Sequence, residues 1–439
     1  MMHRICFAVV VTIGLSTVGC VSESNVNSAQ ARKSPATQPA VLAFPGAQGF
    51  GARATGGRGD GGGGSVYHVK NLDDAGPGSL RDAVSQPHRT VVFDVGGYIH
   101  LKSVLEVSSD ITIAGQTAPG DGIGTLGYEV SFSHQQNVIV RYMRFRQGAT
   151  PGQEKKYAVG VYQARNMIFD HCSIEWGRWD CLGVNESEDV TFQYCIIGQG
   201  ISPQRFGALV QSRNITFSHN LWINNESRNP KAKGTVQYVN NVIYNWGKGG
   251  GFVEGHSEHD SFDDVVNNVF LAGPNSGHRG AFAQGKPTDK IYSSGNYIDL
   301  NANGKWDGTT ATDADLGEGT AVRTPFSSLQ GLTIEPAETA FRTVLASAGC
   351  SLHRDSVDTR LIEQAASLGT AGKIAMNEGE AGGPGELHGG VPAPDSDGDG
   401  MPDDYERAHG LNPNDAGDAQ KLGADGHTAL EDYLNGLAR

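Results

Sequence analysis

The chain has 439 residues, 61 of them glycine, and a formal net charge of −14. That length supports a sizeable core, and so much glycine suits a fold of many tight turns. The acidic balance excludes a general nucleic-acid binder, but not an acidic ligand held in a locally basic cleft.

In chain order, residues 1–20 read as an export signal. His3 and Arg4 precede an apolar run from Ile5 to Val18 that is too short to span a bilayer. The run ends in "STVGC", small residues before Cys20, similar to a bacterial lipoprotein cleavage box with Thr17 where Leu is usual. Lipid attachment at Cys20 is expected ahead of simple secretion. The exported chain is then an outer-membrane or cell-surface lipoprotein, or else secreted, and that lipid is its one expected membrane contact. Residues 21–41 are rich in Ser, Asn, Ala and Pro, as a flexible tether should be. Cys172, Cys181, Cys195 and Cys350 are too scattered for a disulfide framework.

A phrase then repeats along the middle of the chain. It reads "NVIVRYMRFRQG" from Asn137, "NMIFDHCSIEWG" from Asn166, "DVTFQYCIIGQG" from Asp189, "NITFSHNLWINN" from Asn214 and "TVQYVNNVIYNWG" from Thr235. Weaker copies surround Asp110, Phe262 and Lys290. Each is a short alternating apolar run, which argues strand rather than helix. Such a unit cannot bury its face alone, so units must stack. The predicted fold is all-β, a parallel β-helix with one phrase per coil; a propeller would need longer blades. Six residues into the phrases stand Cys172, Cys195, Asn220, Asn241, Asn268 and Asn296. Stacked in register they form a structural column, the Asn amides bonding along it.

Several strings carry a family resemblance. "FPGAQGFGARATGGRGD" (Phe44 to Asp60), "VYHVKNLDDAGPGSLRDAV", "RTVVFDVGGYI" (Arg89 to Ile99), "IFDHCS" (Ile168 to Ser173) and "SRNPKAKG" (Ser227 to Gly234) together resemble bacterial pectate lyases of the first polysaccharide lyase family. The likeness runs from about Ala43 to Arg360. Near its end, "VLASAGCSLHRDSVDTRLI" has the apolar spacing of a helix. The resemblance implies a right-handed parallel β-helix, here over residues 42–365, acting on an acidic polysaccharide, pectate or polygalacturonate, as a monomer.

It also implies a reaction, β-elimination. A base takes the C5 proton of a uronate and the bond to O4 breaks. Charge building on the neighbouring carboxylate must be neutralised, a task for Ca²⁺ and basic side chains. The family's base corresponds to Arg228, in Arg228-Asn229-Pro230, although arginine is ordinarily a locked cation. The family's second arginine is replaced by Lys233, a cation without the planar fork. Lys231 and, one coil earlier, Arg205 complete the implied substrate-binding set. For a cleft Ca²⁺ the candidates are Asp180 and then Glu175, a thin set for an ion that takes six to eight oxygens. Asp170 and His171 read as structural. A hydrolase on this fold would need clustered Asp pairs on successive coils, which the sequence lacks.

Residues 366–394 are rich in Gly, Ala, Glu and Pro and read as a linker. Then "DSDGDGMPDDYE" sets Asp395, Asp397, Asp399, Asp403 and Glu406 at the ligand spacing of an EF-hand loop. Residues 395–436 are therefore expected to form a small helical Ca²⁺-binding module, with a weaker second loop around Asp425 and Asp432. The leading expectation is an exported pectate lyase. Its rivals are a surface carbohydrate-binding β-helix without catalysis and a lyase for another uronate polymer.

Overall fold

The structure, a computed structural model, describes residues 41–58, 64–255, 259–277 and 280–438. The export signal, Cys20 and all but the last residue of the tether lie outside the described residues.

Among the described residues, the strands between Ser65 and Val322 form a parallel β-helix in two hydrogen-bonded sheets of sixteen and ten strands. The larger sheet carries two faces. Three long strands, Asp180–Gln193, Phe206–Ser218 and Lys231–Val239, run through both, and the first two bend at register shifts near Asn185/Glu188 and Ser212/Ile215. The alternating phrases become strands because every second residue points into the coil. Val138, Met167, Val190, Ile215 and Val236 are paired successively across coils, and all are buried in one continuous core.

The predicted column is present. Asn220 Nδ2 donates to Asn241 Oδ1 at 2.9 Å, Asn241 to Asn268 at 3.0 Å and Asn268 to Asn296 at 2.9 Å. The N–H groups of Cys195, Asn220, Asn241 and Asn268 each donate to the amide oxygen one coil on. Cys172 and Cys195 cap the column as free buried thiols. The residue before each ladder position turns the chain in the left-handed region, as at His171 (φ 53°), Tyr194 (51°) and His219 (58°). Their rings stack with Tyr142 into an aromatic file with centroids 4.8–4.9 Å apart. Asp170 accepts from Arg141 Nε and Gln193 Nε2, both at 2.8 Å, which is the structural part expected for the Asp170–His171 pair.

Helices Ala337–Ser347 and Ser356–Ala366 cover the outer face of the ten-stranded sheet, where Val344, Val357 and Leu361 pack on Trp176, Leu221 and Val242. Residues 366–394, which composition marks as a linker, run along the coils. Ser202 N donates to Met376 O, Tyr98 Oη to Pro384 O, and Gly389 bridges to Gly120. The C-terminal segment packs on the early coils: Met401, Ala419, Leu430 and Leu434 bury against Val92 and Ala114, and Arg58 pairs with Glu431 at 3.2 Å.

The ladder sets a stability test. Asn241 is fully buried and serves four partners. Asn241→Leu strands donors on Asn220 and an acceptor on Phe217, so it should cost roughly 3 kcal/mol. Cys195→Ala, which removes one small thiol, should cost about 1 kcal/mol. Urea unfolding midpoints of the two variants check the order.

Candidate functional site

The cleft lies on the face where the strands Val159–Tyr162, Asp180–Gln193, Phe206–Ser218 and Lys231–Val239 run side by side. The turn before Lys231 delivers Arg228, which sits in the left-handed region (φ 62°). Arg228 Nη1 lies 3.1 Å from both oxygens of Asp180, and its guanidinium rests 4.2 Å over the Phe206 ring. Clamped in this way, its side chain is 20% exposed. Asp180 is fully buried; burial pushes its carboxyl up to about 6, with Arg228 and Lys231 working against the rise.

Arg228 and Lys231 line one cavity of about 220 Å³, with Phe206, Glu226, Val253 and Gln284. Burial, with help from Lys233 and Arg228, pushes the Lys231 amine down to about 8. Lys233 Nζ donates to Gln211 Oε1 at 3.0 Å, further along the same strand. Lys233 also opens onto a neighbouring groove of about 790 Å³ walled by the amides of Gln136, Gln163, Asn185 and Gln211. Arg205 stands one coil back, paired with Glu226 at 3.3 Å. The structure thus brings Arg228, Lys231 and Asp180 together and sets Arg205 and Lys233 on either side.

Two residues that the sequence does not single out share this floor. Gly160 and Gly183 leave room above the sheet; a Cβ on Gly160 would fall 2.2 Å from Glu129 Oε1, and one on Gly183 2.6 Å from the Tyr157 ring. Tyr157 lies over Gly183, hydrogen-bonded to Asn185, and burial, with the charge of Asp180 adding to it, pushes its phenol up to about 12. Glu129 is held by Lys156 at 3.2 Å. The paired small residues at 160 and 183 were the available signal.

Two metal candidates need correction. Glu175 is not in the cleft. It is fully buried behind the ten-stranded sheet, where Arg146 Nε donates to it at 2.9 Å in a network with Asp355 and Asp358. The sequence spacing was right for a neighbour of Asp180, but the turn between them sends the two side chains to different sheets. The cleft then offers Asp180, already bound to Arg228, and Glu129, already bound to Lys156. Those donors do not fit a protein-held Ca²⁺ cage, which takes six to eight oxygens.

Asp403 is the second correction. Its carboxylate accepts from Ser396 N at 2.8 Å and Oγ at 2.9 Å and pairs with Arg407. It starts the helix Asp403–His409 instead of facing the loop centre. Its place is taken by Asp418, which the sequence reading missed because it lies outside the twelve-residue loop. Oxygens of Asp399, Glu406 and Asp418 lie within 4.8 Å of one another, as do those of Asp395, Asp397 and Asp399. Both oxygens of Asp397 and Glu406, one of Asp399 and one of Asp418 are buried without a hydrogen-bond partner. Burial and mutual repulsion push Asp399 and Glu406 up to about 7. Here the donors do fit a hard divalent cation.

No family model matches the chain. Curated relatives do. It is 44% identical over 403 residues to a probable pectate lyase C of Neosartorya fischeri, covering 91% of this chain and 94% of that one. The same holds for a probable pectate lyase C of Aspergillus fumigatus over 404 residues. A solved thermostable pectate lyase, PL 47, superposes with a TM-score of 0.50 at 15% identity over 72% of this chain and 99% of its own, which shows the shared fold. The relatives matched at the higher identity are fungal, not the bacterial enzymes that the motifs suggested. The chain belongs to the pectate lyases.

The amine of Lys231 is cationic below about pH 8 and neutral above it. If it neutralises a substrate carboxylate, kcat/KM should fall several-fold as pH passes 8, and Lys231→Met should flatten that fall; steady-state kinetics from pH 6.5 to 9.5 check both. In the tail, Asp399→Asn or Asp418→Asn should remove most of the Ca²⁺-dependent rise in melting temperature, and Asp403→Asn should keep it. Thermal scans with and without EDTA separate the three.

Proposed function

We propose that this pectate lyase cleaves polygalacturonate by β-elimination, with Arg228 as the base. The observation that carries the reading is the convergence of Arg228 and Lys231 on one cavity over buried Asp180. For this Arg228 must first release a proton to solvent; the neutral guanidine then takes the C5 proton, the electron pair forms the C4–C5 double bond, and O4 leaves and takes a proton from solvent. Lys231 and Lys233 neutralise the uronate carboxylate as charge builds on it. Asp180 and the Phe206 ring fix the guanidinium, so little orientational freedom is lost when substrate binds. Arg205, held by Glu226, meets a further uronate one coil away.

Ca²⁺ belongs in this proposal at the C-terminal loop, held by Asp395, Asp397, Asp399, Glu406 and Asp418, where it fastens that segment to the early coils. No step of the elimination is routed through it. Export by residues 1–20, a lipid on Cys20, a tether over 21–41 and a monomeric state complete the reading.

A second assignment is favoured by one observation. The Lys231 amine, pushed down to about 8, is the group nearest to a neutral base at mildly alkaline pH. In that case Arg228 anchors the carboxylate and Lys231 takes the proton, so kcat rises through pH 8.

The test is ultraviolet absorbance of the unsaturated product from polygalacturonate. Wild type should produce it, and Arg228→Ala should lower kcat about a thousandfold. Lys233→Met should lower kcat/KM, with kcat itself reduced. Undiminished kcat in Arg228→Ala would transfer the base role to Lys231. No unsaturated product from wild type, on this or other uronate polymers, would leave a carbohydrate-binding β-helix.

A further inference from the structure

Inside the last coils the apolar interior is interrupted by two acids. Asp263 pairs in register with Val236 before it and Ile291 after it, so it occupies an inward column otherwise filled by Val190, Ile215, Val236 and Ile291. Glu254 lies one residue beyond the Lys231–Val253 pair and continues the inward column of Val161, Val184, Val210 and Ala232. Both side chains are completely buried. Neither oxygen of Glu254 has a hydrogen-bond partner, nor does Asp263 Oδ1.

The surroundings are shaped for these carboxylates. A Cβ on Gly285 or on Gly319 would come 2.0 Å from Glu254 Oε2, so both positions exclude any side chain. Ser261 Oγ lies 2.9 Å from Ala232 O and 2.5 Å from Asp263 Oδ2, and it has one proton for the two acceptors. Asp289 borders the site, accepting from Ser261 N and Lys286 N at 3.0 Å each.

Two unpaired buried carboxylates in an apolar interior are costly unless a positive charge joins them. Burial, with Asp263 and Asp289 nearby, pushes Glu254 up to about 9. A proton or a metal ion would relieve the conflict. The donors are all oxygen, and both acids replace residues that are apolar in the coils before. A protonated pair would gain nothing over the valines it displaces, whereas an ion needs these groups.

We propose that Glu254 and Asp263 hold a hard divalent cation of the Ca²⁺ or Mg²⁺ class inside the C-terminal coils, pinning the strand ends behind the cleft. Among the described residues these acids do not join a trio of His, Cys, Asp or Glu ligand atoms all within 4.8 Å of one another, so backbone carbonyls and water complete the shell. The site is separate from the loop at residues 395–418 and does not depend on the elimination chemistry.

Crystals of the intact chain soaked in Mn²⁺ should give an anomalous peak beside Glu254 and Asp263. Wild-type density without that peak overturns the proposal, whatever the C-terminal loop binds. A second measurement uses the full chain carrying Asp397→Asn and Asp399→Asn. Adding Glu254→Gln and Asp263→Asn should then remove one equivalent of bound Ca²⁺ in equilibrium dialysis and abolish the remaining Ca²⁺-dependent rise in melting temperature. The amides mimic protonated acids. Unchanged binding and unchanged melting in that variant would show that the carboxyls carry protons, and the proposal would fail.

Discussion

Everything in this molecule depends on coils staying in register. The Asn220–Asn241–Asn268–Asn296 ladder enforces it from within, because each amide spends its hydrogen bonds on the coil above and the coil below. A slip by one residue would bury charged faces and strand those amides. Register in turn fixes where side chains from different coils meet. Asp180 is distant in sequence from Arg228 and Lys231, yet the stacked coils set its carboxylate against the guanidinium that lines one small cavity with Lys231.

A globally acidic chain can bind an acidic polymer because its charge is segregated. The cations of the cleft pair with buried carboxylates, Arg228 with Asp180 and Lys156 with Glu129, while much of the negative charge is concentrated in the C-terminal segment. That segment is not an independent appendage: its apolar residues complete a small core with Val92 and Ala114. Met401 therefore links the cation loop directly to the early coils. The same acids that would repel one another become a fastening once an ion neutralises them.

Much of the fold could be read from the sequence, since it lay in local periodicity. The phrase spacing predicted the coils, and position six of the phrase predicted the ladder down to its cysteines. The first residue of the phrase held more than was read there. Asn137 donates to Asp110, Asn166 to Asn137 and Asn214 to Asp189, a second polar file at another bend. The placing of the candidate residues was legible where one short string carries them, as with Arg228, Lys231 and Lys233. It failed where facing is decided by turns. Glu175 looked like a neighbour of Asp180 but turned to Arg146, and Asp403 followed loop spacing but capped a helix. Asp418 was missed because it lies outside the loop spacing, and Glu129 and Tyr157 because their roles come from coils that meet only in three dimensions. The glycines at 160 and 183 become informative once the coils are stacked.

The central claim is that a base on the bent sheet removes the C5 proton, and that Arg228 is that base. It is tested most directly with C5-deuterated polygalacturonate, by comparing the rate of unsaturated-product formation with that from protiated polymer, in wild type and in Lys231→Met. Deuterium should slow both proteins by a similar factor, with Lys231→Met slower overall but still eliminating. An isotope effect absent from wild type, or elimination lost altogether in Lys231→Met while Arg228→Ala retains it, would contradict the assignment.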